Sequence, residues 1–420
     1  MAPGYYTGHP SIVVEGGVLV RIFKHFIDPT LPRTFYILLI GRFFNLVGNS
    51  LVFPFITIYL ATRLHAPMST VGLVMVFYGG AQVLSVLVGG VWSDKFGRRR
   101  VMLLSLISGA LLTFLVGLPT TPSLLIIFLA GMGFTVPLFQ PASMAAVGDM
   151  VPPQRLSYAY GLMRMASNAG IIIGPMLGGF LADHSFFWIF CLDAVSMLIF
   201  LVIIFVAIPE TRPTQRVATV SPGSLRDVAR DPMFIRFALL WSLTSLVYSQ
   251  LFMVVPAYLH LQLGYRPSFF GYLAAENAIL VVALQLPITR LTRAIARPIL
   301  MAFGTLCYGI GFWVMLTGHA RPVFIIAVVV ITLGENMINP AASAWVADRA
   351  PEHLRGRYMG FFSLANRAGF AVGPLTGGFL MSLGVGPWLG ATGLFAFLAA
   401  FGFQRFSRRG ATPSPMKLSL

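Results

Sequence analysis

Charge is what this chain has least of. Only 10% of its 420 residues are Asp, Glu, Lys or Arg, and acids are the scarcer sign, 13 against 29 bases. A water-soluble domain carries about 25% charged residues, so an ordinary soluble enzyme is excluded. Cysteine is almost absent too. Cys191 and Cys307 stand inside apolar runs, without the paired Cys or Cys/His spacing that zinc, an iron cluster or a disulfide framework needs. No metal and no cofactor is therefore expected. A GxxxxGK[ST] loop is missing as well, so ATP hydrolysis is not expected, and no polar stretch is long enough for a catalytic domain. The expectation is a protein that is not an enzyme.

What is present is apolar: 57% hydrophobic residues and a mean hydropathy of +0.82. These residues fall into runs of about twenty, the length at which a helix crosses a bilayer. Twelve runs are predicted, at 34–62, 68–93, 99–118, 122–148, 156–183, 185–208, 234–262, 267–290, 297–317, 322–347, 355–383 and 386–405. The fold class is thus an all-α polytopic membrane protein with twelve transmembrane helices.

The net charge of +16 does not gather into a basic domain, so nucleic acid is not an expected partner. Lys and Arg lie in short segments between the runs, and almost all on one side. That side carries Lys95, Arg98, Arg99, Arg100, Arg155, Arg212, Arg293, Arg297 and Arg349 among others, whereas the opposite side has only Arg63, Arg266 and Arg321. The positive-inside bias makes the basic side cytoplasmic, and an even number of spans puts both termini there. A multi-pass cell-membrane protein is expected, in a bacterial inner membrane. Met1 to Arg33 is mixed and polar and lacks the pattern of a signal peptide.

Five regions follow: a cytoplasmic extension (1–33), a six-helix bundle (34–208), a cytoplasmic linker (209–233), a second six-helix bundle (234–405) and a tail (406–420). The bundles are repeats. The stretch from Gln140 lies ungapped over that from Asn339, at an offset of 199 residues, and includes Pro141/Pro340 and Asp149/Asp348. About two positions in five are identical along it. Two pseudo-symmetric halves around a midplane site is a transporter architecture.

The loop after the second run reads GVWSDKFGRRR from Gly90 to Arg100. Gly90 permits close helix approach, Gly97 a tight turn, and Asp94 sets a carboxylate at the membrane edge. This loop resembles the signature G-x-L-x-D-R-x-G-R-R of the major facilitator superfamily, with Trp92 and Lys95 departing from it. In the fifth run Gly170, Gly174, Pro175, Gly178 and Gly179 form G-x-x-x-G-P-x-x-G-G, similar to that family's antiporter motif. Gly369, Gly373, Pro374, Gly377 and Gly378 repeat it in the eleventh. There, helix packing alone suffices.

The resemblance covers essentially all twelve runs and is nearest to the twelve-span drug:proton antiporter group. It implies the major facilitator fold. It also implies a latch in which Asp94 and Arg98 hold the outward-facing state by pairing across the halves, and Asp149 is a further expected partner for Arg98. At the offset of 199, Asp94 meets Arg293 and Arg98 meets Arg297, so only the first-half latch is expected to be strong.

Ionisable residues inside a bilayer cost roughly 2.5 to 3.5 kcal/mol each at a helix centre, which makes each a functional candidate. They are Glu276, Glu335, Arg42, Arg164 and Arg367, with Asp193 shallower. Glu276 and Glu335 lie roughly 13 and 20 Å below the outer surface at 1.5 Å per residue. A desolvated carboxyl can take up and release a proton, so Glu335 is the first candidate for proton coupling and Glu276 the second. The alternative is that each is locked in an ion pair with a membrane arginine.

Arg42, Asn45 and Asn49 share one helical face, and Trp241, Ser245 and Tyr248 another. Gln140 and Asn339 are repeat-related. With Arg367 these nine residues are the candidate cavity lining. Trp188 and Trp388 read as interfacial anchors.

The expected function is secondary active transport: proton-coupled, multidrug-like efflux of small amphipathic compounds by alternating access. Its partners are a small-molecule substrate, protons and the bilayer, and a monomer is expected. The alternatives are a facilitator or symporter of the same fold for a metabolite, such as a sugar, amino acid, siderophore or lipid-like anion, and a receptor or scaffold that moves nothing.

Overall fold

The computed structural model describes residues 28, 30–118, 121–212, 228–351 and 354–409. Most of the expected extension, linker residues 213–227 and tail residues 410–420 lie outside the described residues.

Among the described residues, twelve membrane-length segments follow one another. In the first half, α1 runs Arg33–Val52 and resumes as Ile56–Leu64. It is followed by α2 (Met68–Phe96), α3 (Arg98–Gly117), α4 (Pro122–Met150), α5 (Leu156–Ala182) and α6 (Phe186–Ala207). The second half holds α7 (Pro232–Gln262), α8 (Pro267–Leu291), α9 (Arg297–Thr317), α10 (Arg321–Arg349), α11 (Arg355–Ser382) and α12 (Val385–Arg409). No strand occurs among the described residues. A bilayer offers no water to backbone amides, so each spanning segment satisfies its own as a helix. Proline at the first helical turn, where its missing N–H costs nothing, opens α4, α7, α8, α9 and α10.

Two expectations change. The run at 34–62 is not one helix: the chain turns at Phe53–Phe55, around Pro54, which cannot donate to a helical ladder. Among the described residues, eleven helices are long and apolar enough to cross a membrane by composition. The other, α11, is diluted by Arg355, Arg357, Arg367 and its glycines, yet it is 28 residues long and packs on α2, α7 and α12.

Packing repeats between the halves. In the first, α1 lies against α5 and α3 against α6; in the second, α7 lies against α11 and α9 against α12. Glycines set these approaches. A Cβ at Gly170 would meet Leu46 Cβ of α1 at 2.8 Å, and one at Gly178 would meet Phe55 at 2.9 Å. Gly369, Gly373 and Gly377 abut Ser242, Ser249 and Gln250 of α7 in the same way. Trp388 is wholly buried, and its indole Nε1 donates to Gln250 Oε1 at 3.1 Å, so it is a packing residue and not an interfacial anchor. Trp188 is 51% exposed.

Asp231 begins the second half. Its Oδ1 accepts from the backbone N–H groups of Met233 and Phe234, both at 3.1 Å, which caps α7. Arg349 of α10 donates to both its oxygens at 2.7 and 2.8 Å, and the Tyr358 hydroxyl of α11 donates to Oδ2 at 3.1 Å. One carboxylate thus ties three helices together. Burial pushes its pKa up, but the bonds from Arg349, Phe234 and Tyr358 outweigh burial and hold it below the ordinary 3.8. A depressed folded-state pKa stabilises at neutral pH, and that contribution is lost as the pH falls through the lowered value. Thermal melts in detergent should therefore show Asp231→Asn less stable than wild type at neutral pH by about 1–2 kcal/mol. The difference should shrink below pH 3.8. A constant difference across that window would remove the carboxylate from the account.

Candidate functional site

Between the halves lies a cavity of about 490 Å3, lined from both. The first half contributes Phe53, Met75, Tyr78, Gln82, Gln140 and Ile171; the second contributes Trp241, Met253, Phe362, Asn366, Arg367 and Phe370. Aromatic and apolar groups dominate, with a few polar groups converging among them. Arg367 Nη2 donates to Gln140 Oε1 at 2.7 Å, and so joins α11 to α4 across the cavity. A wider cleft of about 830 Å3 near Arg63, His65 and His184 belongs to the first half alone.

Beyond the cavity, on the side away from the basic loops, the halves close on each other. A Cβ at Gly72 of α2 would meet Leu375 Cα of α11 at 2.6 Å, and one at Gly179 of α5 would meet Ser268 Cα of α8 at 2.9 Å. Phe55 packs edge-on against Phe270 at 6.0 Å between ring centroids. Asp183 Oδ1 accepts from the backbone N–H of Ser268 at 2.9 Å, in the first turn of α8. Of the antiporter-type motif, Gly170, Gly174 and Gly178 face α1, whereas Pro175 and Gly179 face α8 in the other half. The second-half copy does the same, with Pro374 and Gly378 set against α2.

Three of the nine expected cavity residues line this cavity: Gln140, Trp241 and Arg367. Arg42 is buried in the first half, its Nε donating to Ser167 Oγ at 3.1 Å. Asn45 and Asn49 are partly buried, and neither lines the cavity, nor does Asn339. Ser245 accepts from Asn366 Nδ2 at 3.1 Å inside the second half. Tyr248 stacks on Tyr308 at 5.2 Å and turns its hydroxyl to Glu335. The lining residues the sequence reading missed are Tyr78 with Gln82 and Phe362 with Asn366 and Phe370. They sit four apart on single helical faces, a spacing visible in the sequence.

Glu335 stands midway along α10, within the second half. Its Oε2 accepts from Asn277 Nδ2 of α8 at 2.9 Å, and the same amide donates to Thr332 Oγ1 at 2.9 Å. Tyr248 separates it from the cavity, packing edge-on with the lining residue Phe370 at 6.1 Å. Glu276 is partly buried in α8, one turn from Tyr272, which meets Phe180 of α5. Among the described residues neither glutamate has an ion pair, so the locked-pair alternative finds no partner.

At the basic end, Arg98 bonds Asp94 at 2.8 Å and Asp149 at 3.0 Å, all within the first half, and Asp94 remains 69% exposed. Gly97 has φ +105, which only glycine adopts easily. Gly90 departs from expectation, since a Cβ there would meet open space. Sequence reading also missed Glu210. Its carboxylate accepts from the Arg98 backbone N–H at 2.8 Å and so caps α3, while Arg212 Nη1 donates to the Lys95 carbonyl at 2.8 Å. The second half is not as degenerate as expected, because Arg297 pairs with Asp348, the counterpart of Arg98 with Asp149. The repeat lost the acid of the loop but kept the arginine and its partner.

The sequence profile of the Major Facilitator Superfamily matches residues 38–276 and 254–417. The chain is 31% identical over 356 residues to the MFS-type transporter YttB of Bacillus subtilis (strain 168), covering 84% of this chain and 89% of that protein. It is 25% identical over 403 residues to a Na(+), Li(+), K(+)/H(+) antiporter of Planococcus maritimus, with 88% and 93% covered. Identity to the multidrug resistance protein MdtH of Escherichia coli (strain K12 / DH10B) is 27% over 394 residues, with 90% and 95% covered. Among solved structures, a bacterial homolog of the human lysosomal transporter Spinster superposes with a TM-score of 0.74 at 14% identity, covering 91% of this chain and 98% of that one. The chain belongs to the major facilitator superfamily and is a membrane transporter of that type.

Proposed function

We propose that this transporter exchanges protons for a small amphipathic compound and exports it by alternating access. The basic end faces the cytoplasm in this reading, so the arrangement described is closed toward the outside. The observation that carries the reading is Glu335, a carboxyl at mid-membrane with no ion pair among the described residues, one aromatic layer from the cavity. A carboxyl so placed has reason to hold a proton, and to release it when water or substrate reaches Tyr248. The cavity supplies an apolar body of Phe53, Met75 and Phe370 and a polar end of Gln140, Asn366 and Arg367. Asp94, exposed and bonded to Arg98, is free to reach the other half when the basic end closes. The similar cation/proton antiporter supports exchange as the mode, and the similar multidrug resistance protein MdtH supports a drug-like cargo.

Arg367 supports a second reading. Its guanidinium is held by an amide and not by a carboxylate, so a negatively charged metabolite could pair with it. Reconstituted protein under an imposed pH gradient, offered ethidium, an amphipathic anion and a sugar in turn, separates the two. Gradient-driven movement of ethidium is the expected result. Movement of the anion alone transfers the assignment to the second reading, and movement of none of the three under any gradient rejects proton-driven exchange.

A further inference from the structure

The first half buries a carboxyl that the reading above does not use. Asp193 of α6 is 1% exposed, and its Oδ1 has no hydrogen-bond partner. Two further unpartnered polar groups are buried on the helices packed against it. Gly48 of α1 lies against it, with a Cβ built there 2.8 Å from Asp193 Oδ1, and one turn away Asn45 Nδ2 is buried without an acceptor. On α3, Gly109 abuts Met197 and Gly117 abuts Phe190, which sets Thr113 midway, opposite Asp193. The Thr113 hydroxyl is buried and also without a partner. Three packed helices thus each bury an unpartnered polar group at about the same level of the first bundle, where a charged carboxylate would be costly and a protonated one would not.

The charged and titratable groups around it are few. Arg42 on α1 lies nearer the basic end and is bonded to Ser167. Arg164 on α5 is exposed near the basic end, and α3 offers none between Val101 and Gly117. From α2 comes Tyr78, a lining residue of the central cavity within electrostatic reach of both Asp193 and Arg367. Tyr78 is therefore the side chain between this interior point and the site where the halves part.

We propose that Asp193 is a second proton-binding site of the transport cycle, inside the first bundle, exchanging with the central cavity past Tyr78. The bound species is a proton: Asp193 Oδ1 gains it to form the neutral acid and returns it as the carboxylate, with nothing else made or broken. The role in the cycle rests on the proton-coupled reading; the binding itself does not.

The test uses the full chain in phosphatidylcholine vesicles and dicyclohexylcarbodiimide, which modifies carboxyls that carry a proton in apolar surroundings. Peptide mass mapping should find Asp193 modified, with the yield falling at least tenfold from the acid to the alkaline side of neutrality. Asp193→Asn should cut gradient-driven ethidium movement at least tenfold, and Asp193→Glu should recover much of it. No modification at Asp193, a yield indifferent to pH, or unchanged transport in Asp193→Asn overturns the proposal. If Asp193→Asn does not fold, the wild-type labelling profile decides. Wild-type protein that labels with the expected pH dependence yet moves nothing under a gradient rejects the efflux reading while the binding site stands.

Discussion

Glu335→Gln should leave a transporter that equilibrates its cargo but no longer concentrates it. A carrier that exchanges one proton per substrate converts each pH unit of gradient into about 1.4 kcal/mol, a factor of about ten in concentration ratio. Two pH units therefore sustain an accumulation of about a hundredfold in the wild type, and the variant should reach a ratio near one. Glutamine keeps the shape of the side chain and can still meet Asn277 and Tyr248, so the bundle has no reason to repack around it. What is lost is the ability to be charged in one state and neutral in the other. Vesicle uptake followed to its plateau separates this from a folding defect, because exchange without a gradient should continue at a comparable rate. A variant that still accumulates a hundredfold would make Glu335 a packing residue and leave Glu276 or Asp193 to carry the proton.

Much of the fold is legible in the sequence, and the reasons are physical. Bilayer thickness fixes the length of each run, and the internal repeat fixes how many there are and how the halves relate; the contacts of α1 with α5 and of α7 with α11 follow the aligned glycines. The site was less legible. In a soluble helix, polarity marks the face turned outward, but in a membrane protein a polar side chain turns inward whether toward its own bundle or toward the cavity between bundles. Arg42 and Arg367 look alike in sequence, yet one is closed inside the first half and the other spans the cavity. Tyr248 and Trp241 share a helical face by spacing, but only Trp241 reaches the cavity. Glu210 was invisible for another reason. It belongs to the polar stretch after α6, and nothing local announces that its carboxylate folds back over the start of α3.

A disulfide across the closed end should stop transport almost completely. Asp183 and Ser268 are the pair to use, because the Asp183 carboxylate already reaches the Ser268 backbone N–H at 2.9 Å, the one hydrogen bond described between the halves on that side. One turn before Asp183, a Cβ built on Gly179 would lie 2.9 Å from Ser268 Cα, so the two backbones run close together at this point. In the Asp183→Cys/Ser268→Cys double variant, oxidation should therefore proceed without moving the helices. The bond then ties α5 to α8 where Gly179 and Gly271 bring their backbones together. Packed interfaces of this kind have two discrete arrangements and do not stretch, so holding one point of the seam holds all of it. Oxidised protein should move cargo at less than about a tenth of the reduced rate, and dithiothreitol should restore it. The single variants, treated alike, should be indifferent to oxidant, since Cys191 and Cys307 lie within α6 and α9, away from this seam. Each half can turn only if this seam opens when the basic end closes, so a cross-linked protein as fast as the reduced one would mean that the halves do not part there.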